Sequence, residues 1–358
     1  MSSDISAMCL TLSDPIRQAI VSIDRTRWKI ALVVDNERHL LGTITDGDVR
    51  RAILAGMDLD SPVKTLLDRR APAAHPTPLT ARVGTSRVDL LSIMNKYILR
   101  HIPLVDDAGR VVDVALLNDL VKEEELPLRA VVMAGGYGTR LRPITEGLPK
   151  PMLPIGDRPL LELTLQQLRD AGIKRVNLAT HYKRDIIANH FGDGHNFGVK
   201  IRYVEEDQPL GTAGALGLVE TSEDPLLVIN GDVVTRVDFH AMLDFHRHHR
   251  ADMTVAVRQH EVQLPHGVVE TDGLAITGIT EKPVLRHFMN AGIYLLNPEM
   301  CRFVPSGRRY DMTDLISELI VEGRRVVCFP VREYWLDIGQ STDYDRAQED
   351  LQAGKIQP

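Results

Sequence analysis

In the second half of the chain, short apolar runs recur at a length that suits buried strands better than helices. Residues 130–134 and 226–229 are wholly apolar, and residues 176–179 and 200–204 are strand-like runs of the same size. Between the first two runs in the chain, Leu161, Leu165 and Leu168 fall at i, i+4 and i+7, the stripe of a helix that Gly172 can end. A second helix is expected from Arg184 and another over residues 343–351. Strands alternating with helices predict a three-layer α/β fold around a mixed, mainly parallel sheet.

The first 125 residues follow a different plan. Residues 28–54 and 99–121 form a weak internal repeat. Each copy has a β-rich run ending in Val-Asp, a polar turn, a second run and a helix start. The equal spacing of Asp35 to Gly42 and of Asp106 to Asp113 predicts two similar α+β units about a pseudo-twofold axis. Residues 121–126 carry Lys122 and three successive glutamates ahead of Pro127, without apolar periodicity. The predicted domains are therefore 1–126 and 127–358.

Composition narrows the function classes. A net charge of −7 with no long basic run argues against nucleic acid as a partner. No apolar run approaches a membrane span, and residues 1–12 lack the cationic start and apolar core of a signal peptide. Cys9, Cys301 and Cys328 are scattered and read as reduced thiols of a cytoplasmic protein. The thirteen histidines show no metal-binding spacing.

Candidate chemistry concentrates after the run at 130–134. Gly135, Gly136 and Gly138 allow a tight turn with N–H groups exposed to a ligand, and Arg140, Arg142 and Lys150 follow between Pro143, Pro149 and Pro151. A glycine loop at the end of a strand, followed by fixed cations, suits a polyanion such as a nucleoside triphosphate. The Gly-Lys-Ser/Thr ending of a P-loop is absent, and Leu141 stands where a dinucleotide fingerprint needs its third glycine. The residues instead resemble the GGxGTRLxPxTxxxPKPM signature of the sugar-1-phosphate nucleotidyltransferases, whose domain is Rossmann-like.

That resemblance implies Arg140, Lys150 and Lys282 as catalytic charges, and nucleotide contacts at Gly135, Gly136, Gly138, Thr139, Gln208, Gly211 and Thr212. In INGDV and WLDIG it implies Asp232 and Asp337 as ligands of Mg²⁺. In ITEKP and MNAGIYLL it implies Glu281, Lys282 and Asn290 as sugar 1-phosphate contacts. Taken singly, Gly211 and Gly214 also suit a helix cap with close packing, and Glu281–Lys282 a surface turn. The implied reaction joins an NTP to a sugar 1-phosphate, giving NDP-sugar and pyrophosphate. Residues 192–216 with NAGIYLL look most like guanylyltransferases, and thymidylyl or uridylyl transfer stays open. A non-catalytic nucleotide-sugar sensor is the rival from another class. No hexapeptide repeat supports acetyl transfer.

The repeated amino-terminal region resembles a pair of CBS domains. Gly42 to Asp48 matches their ligand motif, which implies a regulatory nucleotide at Thr45 and Asp48. The plainer reading is that Asp46 or Asp48 caps the helix over residues 49–54. In the second copy the equivalents are Asp113, Leu116 and Asp119, so the hydroxyl has been lost there. With such a pair attached, a homo-oligomer is expected. A fused pair resembles the glucosamine-1-phosphate guanylyltransferases of legionaminic acid synthesis.

Overall fold

The computed structural model describes residues 5–26, 28–69, 78–97, 99–120, 125–220 and 222–356. The chain divides into two compact units, Met1–Glu124 and Glu125–Pro358. Of the polar stretch expected to separate the domains, residues 121–124 lie outside the described residues.

The repeat appears as two three-stranded sheets of the same design in the amino-terminal unit. Cys9–Leu10, Ile30–Val34 and Leu40–Thr45 form one; Ala81–Arg82, His101–Val105 and Val111–Leu116 form the other. In both, a parallel pair is followed by an antiparallel pair, with a register shift at the matching place, Val33/Val34 and Leu104/Val105. The period of two along Ile30–Val34 sorts its side chains between two cores. Ala31 and Val33 pack with Ile16 and Ile23 of the helix Ile16–Arg25. Ile30, Leu32 and Val34 pack instead against Val111, Val114 and Leu116 of the other copy. Leu116, where the hydroxyl is missing, is therefore a core residue between the two copies. The two polar turns also meet, with Val111 N–H donating to Arg38 O at 3.0 Å.

The second unit is built on a seven-stranded sheet. Its strands are β1 (Arg129–Met133), β2 (Arg175–Thr180), β3 (Lys200–Glu205), β4 (Leu226–Asn230), β5 (Met253–Gln263), β6 (Val284–Leu296) and β7 (Val326–Pro330), in spatial order 3-2-1-4-6-5-7. The first four are parallel neighbours, β6 runs against β4 and β5, and β7 is parallel to β5. Each of the four strand-like runs read from the sequence falls in one of these parallel strands. Val131, Val228, Met253, Tyr294 and Leu296 form a core with Leu315 of the helix Met312–Val321. Gly172 takes φ +78 just after the helix Leu160–Asp170. The expected terminal helix spans Ser341–Gln352, and its Gln348 and Tyr344 side chains donate to Pro154 O beside the proline-bracketed loop.

The helix Phe239–His248 is started by Asp238, whose carboxylate accepts from Ala241 N–H at 3.0 Å. Its His246 is buried, with Nδ1 2.8 Å from Thr254 Oγ1 and Nε2 3.1 Å from Asn297 Oδ1. Burial holds its pKa below the ordinary 6.5, so the unfolded chain binds the proton more readily than the fold. This contribution to stability is complete above about pH 6.5 and falls as the pH drops below it. The melting temperature is expected to fall more steeply from about pH 7 to about pH 5 in the wild type than in His246→Gln. Equal slopes in a thermal melt series would remove His246 as a source of the pH dependence.

Candidate functional site

The loop leaving β1 is shaped by its glycines. A Cβ on Gly135 would lie 3.3 Å from Glu206 Oε1 and from the His181 side chain. Gly138 has φ +63, and a Cβ there would meet Thr145 Cγ2 at 2.9 Å. Thr145 closes the loop by donating to Gly138 O at 2.8 Å. Short 3-10 turns at Thr139–Leu141 and Lys150–Met152 then set Arg140 and Lys150.

Two aspartates distant in sequence are brought to this loop by chain pairing. Gly231 follows β4 with its N–H on Met133 O, and a Cβ there would come within 2.6 Å of that oxygen. The close approach keeps Asp232 beside the end of β1. The strand Val233–Thr235 then pairs antiparallel with Trp335–Asp337, matching Val233 to Asp337. Ile338 N–H donates to Asp232 O at 2.9 Å. Lys150, only 8% exposed, donates from Nζ to Asp232 Oδ2 at 2.6 Å.

Gly136, Gly138, Thr139, Arg140, Leu141, Lys150, Asp232 and Gly339 line a recess of about 210 Å³. A larger recess of about 290 Å³, between the helix Leu160–Asp170 and the strand Val233–Thr235, contains none of them. The charges around the smaller recess interact. Asp337 keeps an exposed surface, yet the surrounding protein desolvates its carboxyl enough to raise the pKa. The negative charge of Asp232 raises it further, and Lys150 and Arg140 oppose the rise.

Two adjacent carboxylates, one of them with its ionisation penalised by burial and by the other's charge, are a fitting site for a hard divalent cation. No cluster of three or more His, Cys, Asp or Glu suited to a metal occurs among the described residues. A pair of aspartates suffices for a cation that also takes phosphate oxygens and water. Asp232 and Asp337 would hold it, and Lys150 now supplies positive charge at Asp232.

The other expected site residues lie elsewhere. Gln208 Nε2 donates to Gly307 O at 3.0 Å. Thr212 N–H donates to Asp311 Oδ1 at 3.0 Å, and Thr212 Oγ1 accepts from Met312 N–H at 2.8 Å. Gly211 has φ +80, and a Cβ would lie 2.4 Å from Asp311 Oδ1. The helix there is a single turn, Gly211–Gly214, and these side chains fasten it to the segment at 307–312. Glu281 and Lys282 are exposed in the turn between the strand Ala275–Thr280 and β6, with Lys282 at φ +44. Asn290 donates to Tyr294 Oη at 2.8 Å and accepts from Gly292 N–H.

In the amino-terminal unit Thr45 and Asp48 form a capping box on the helix Asp46–Leu54. Thr45 N–H and hydroxyl both reach Asp48 Oδ2, and Arg51 holds Asp48 Oδ1 at 2.7 Å. The capping reading is corrected in its residues: the helix begins at Asp46 and not at residue 49, so Thr45 is the N-cap, Asp48 completes the box and Asp46 lies in the first turn.

A third carboxylate, given no role from sequence, stands at the loop. Glu206 follows β3, and its Oε2 accepts from Leu210 N–H at 2.9 Å while Oε1 faces Gly135. Burial raises its pKa. His181 Nδ1 lies 2.8 Å from Glu206 O, and its Nε2 lies 3.2 Å from Tyr137 Oη. Tyr137 also packs against the Tyr182 ring at 5.3 Å. The signal available was the acidic triplet 205–207 at the carboxyl end of a strand.

Comparison with known proteins gives matches to both units. A family model described as "Nucleotidyl transferase" matches residues 129–354, and one described as "CBS domain" matches residues 1–55 and 73–125. A mannose-1-phosphate guanylyltransferase of Mycobacterium tuberculosis is 37% identical over 233 residues, 63% of this chain and 65% of that protein. A mannose-1-phosphate guanyltransferase of Candida albicans is 32% identical over 61% of this chain and 62% of its own length. The chain thus spans less than two thirds of these relatives. A Bacillus anthracis structure assigned as a glucose-1-phosphate thymidylyltransferase, in complex with sucrose, aligns at TM-score 0.51 and 25% identity, covering 62% of this chain and 94% of that one.

Proposed function

The chain belongs to the nucleotidyl transferase family, and from that footing we propose that it transfers a nucleotidyl group from an NTP, GTP in preference, to a sugar 1-phosphate. The observation that carries this reading is the convergence of Arg140, Lys150 and Asp232 on the glycine-lined recess at the carboxyl edge of the sheet, with Asp337 close enough to feel the charge of all three. The acceptor phosphate is already an anion at neutral pH, so no protein nucleophile is needed. What the reaction needs is the positioning of two mutually repelling polyanions.

Arg140 and Lys150 are assigned to the triphosphate, with backbone N–H groups of residues 135–139 around it. Lys282 is assigned to the acceptor phosphate, and Glu281 and Asn290 to sugar hydroxyls. Gln208, Gly211 and Thr212 are assigned to the wall of the nucleoside site through backbone and packing, given the side-chain partners described above. Bound at Asp232 and Asp337, Mg²⁺ would neutralise phosphate charge and favour loss of pyrophosphate.

Glu206 supports guanine. The guanine edge offers N1–H and N2–H together to one carboxylate, whereas uracil and thymine offer one N–H between two carbonyls. The relatives named as guanylyltransferases favour the same base. The neighbour assigned as a thymidylyltransferase keeps thymidylyl transfer as the second reading.

Pyrophosphate release across a panel of NTPs and sugar 1-phosphates tests the reading. GTP with a hexose or hexosamine 1-phosphate is expected to be turned over, and no release from any pair would leave a binding protein. In the same assay Lys282→Ala should raise the KM for the sugar phosphate about tenfold or more. Its GTP affinity by calorimetry should stay unchanged; an equal loss there would reassign Lys282. We also assign the CBS-like unit a nucleotide-dependent effect on turnover. Unchanged kinetics with added adenine and guanine nucleotides would remove that role.

A further inference from the structure

The loop assigned to the triphosphate leaves β1, and Glu206, assigned to the base, follows β3. In the sheet β2 lies between these two strands, and the residues at and just past its end reach both sides. On the β3 side, Glu206 N–H donates to Thr180 O at 3.1 Å, and Glu206 O accepts from His181 Nδ1 at 2.8 Å. On the β1 side, His181 Nε2 lies 3.2 Å from Tyr137 Oη, and Lys183 Nζ donates to Glu146 O. Gly135 makes room for this approach, since a Cβ there would lie 3.4 Å from His181 N.

The partners of His181 fix its tautomer. A carbonyl oxygen only accepts, so Nδ1 carries a proton. In the neutral ring Nε2 then accepts from the Tyr137 hydroxyl, and in the imidazolium it donates to the same oxygen. The link therefore holds in either state. Two ring contacts seat the tyrosine beside it. Its ring meets the His181 ring edge-on, at 5.7 Å and 87°, and the Tyr182 ring at 5.3 Å. Thr145 ties the loop at Gly138 O, and Tyr137 ties it one residue earlier. At the far end of the chain of contacts, Glu206 has its main chain bonded to residues 180 and 181 and its Oε2 on Leu210 N–H.

We propose that Tyr137 and His181 are positioning residues for nucleotide selection. Together they set the separation between the loop that takes the triphosphate and the carboxylate that takes the base. The inference rests on the guanine reading of Glu206 given above. An NTP must satisfy both places at once, and hydrogen bonds to a base edge weaken steeply when their geometry is lost. A site already set to that span binds without first ordering two independent segments. Guanine gives the carboxylate two N–H groups, whereas uracil gives it one, so a slack span costs GTP more than UTP. Tyr137 and His181 act through Glu206 and the loop, so their effect belongs to nucleotide binding more than to turnover.

The test uses the full chain, with the Kd for GTP and for UTP from calorimetry and kcat from pyrophosphate release. Tyr137→Phe keeps both ring contacts and removes only the hydroxyl. It should lower the preference for GTP over UTP about fivefold, the scale of one hydrogen bond, with kcat changed about twofold or less. His181→Phe cuts the link at both ends and should lower the preference about tenfold or more. In a Glu206→Gln background, Tyr137→Phe should leave the preference unchanged, because the carboxylate it acts through is gone. Tyr137 is 46% exposed, so its variant is expected to fold and decides the matter alone if His181→Phe does not. An intact preference in Tyr137→Phe, equal losses for GTP and UTP, or the same drop in the Glu206→Gln background would overturn the inference alone. A wild type that binds no NTP, or binds UTP as well as GTP, would overturn the guanine reading itself and the inference with it.

Discussion

Replacing Asp232 with asparagine is expected to lower turnover about a hundredfold to a thousandfold while the chain stays folded. The amide keeps the size of the carboxylate and still offers Lys150 an acceptor where Oδ2 now lies at 2.6 Å. What disappears is the charge. Lys150 is nearly buried, so removing its counter-ion also leaves a poorly solvated cation. Asp337 would meanwhile lose the neighbour whose charge raises its pKa, and alone it would hold a divalent cation weakly. Pyrophosphate release, followed as a function of Mg²⁺, reads the effect, with a thermal melt as the control for folding. Near-normal turnover at low Mg²⁺ would take Asp232 out of the site. An unfolded variant would return the Lys150–Asp232 pair to a structural role.

The second large effect is expected at Glu206. Glutamine there keeps an acceptor for Leu210 N–H, so stability should change little. Toward guanine, however, the amide presents an N–H₂ where one carboxylate oxygen accepted, and donor then faces donor. The kcat/KM for GTP should fall about a hundredfold, the cost of a lost charge-assisted hydrogen bond, while that for UTP or dTTP changes by about threefold or less. Because burial raises the Glu206 pKa, protonation reaches it at a higher pH than an ordinary carboxyl. The wild-type preference for GTP should therefore weaken as the pH falls, and the glutamine variant should not share that trend. Equal losses for all NTPs would make Glu206 a support of the loop and not a reader of the base.

These residues differ in how visible they were beforehand. The parallel strands were legible because a strand buried on both faces must be apolar throughout, as residues 130–134 and 226–229 are. Lys150, Asp232 and Asp337 were legible only through their flanking motifs. Nothing local to Asp232 announces that its strand pairs with Trp335–Asp337. Gly211 and Thr212 show the limit of such reading, since their contact with Asp311 belongs to a segment far along the chain. For Thr45 and Asp48 the local rule pointed to a cap but misplaced it, since the helix begins at Asp46 with Thr45 as its N-cap and Asp48 as the partner in the box. The paired continuation of β5 and β6 beyond Val257 escaped notice because exposure on both faces is the one pattern that alternation cannot signal.

The pairing of Val233–Thr235 with Trp335–Asp337 also sets an order of assembly. Strands β1 to β4 all lie within residues 129–230, so this parallel half can form while the rest of the chain is still being synthesised. At that stage Lys150 and Asp232 can already neutralise each other at the end of β4. Asp337 arrives only later and brings a second negative charge beside Asp232. The nascent chain is thus spared a pair of facing like charges until the strands that hold it rigid are in place.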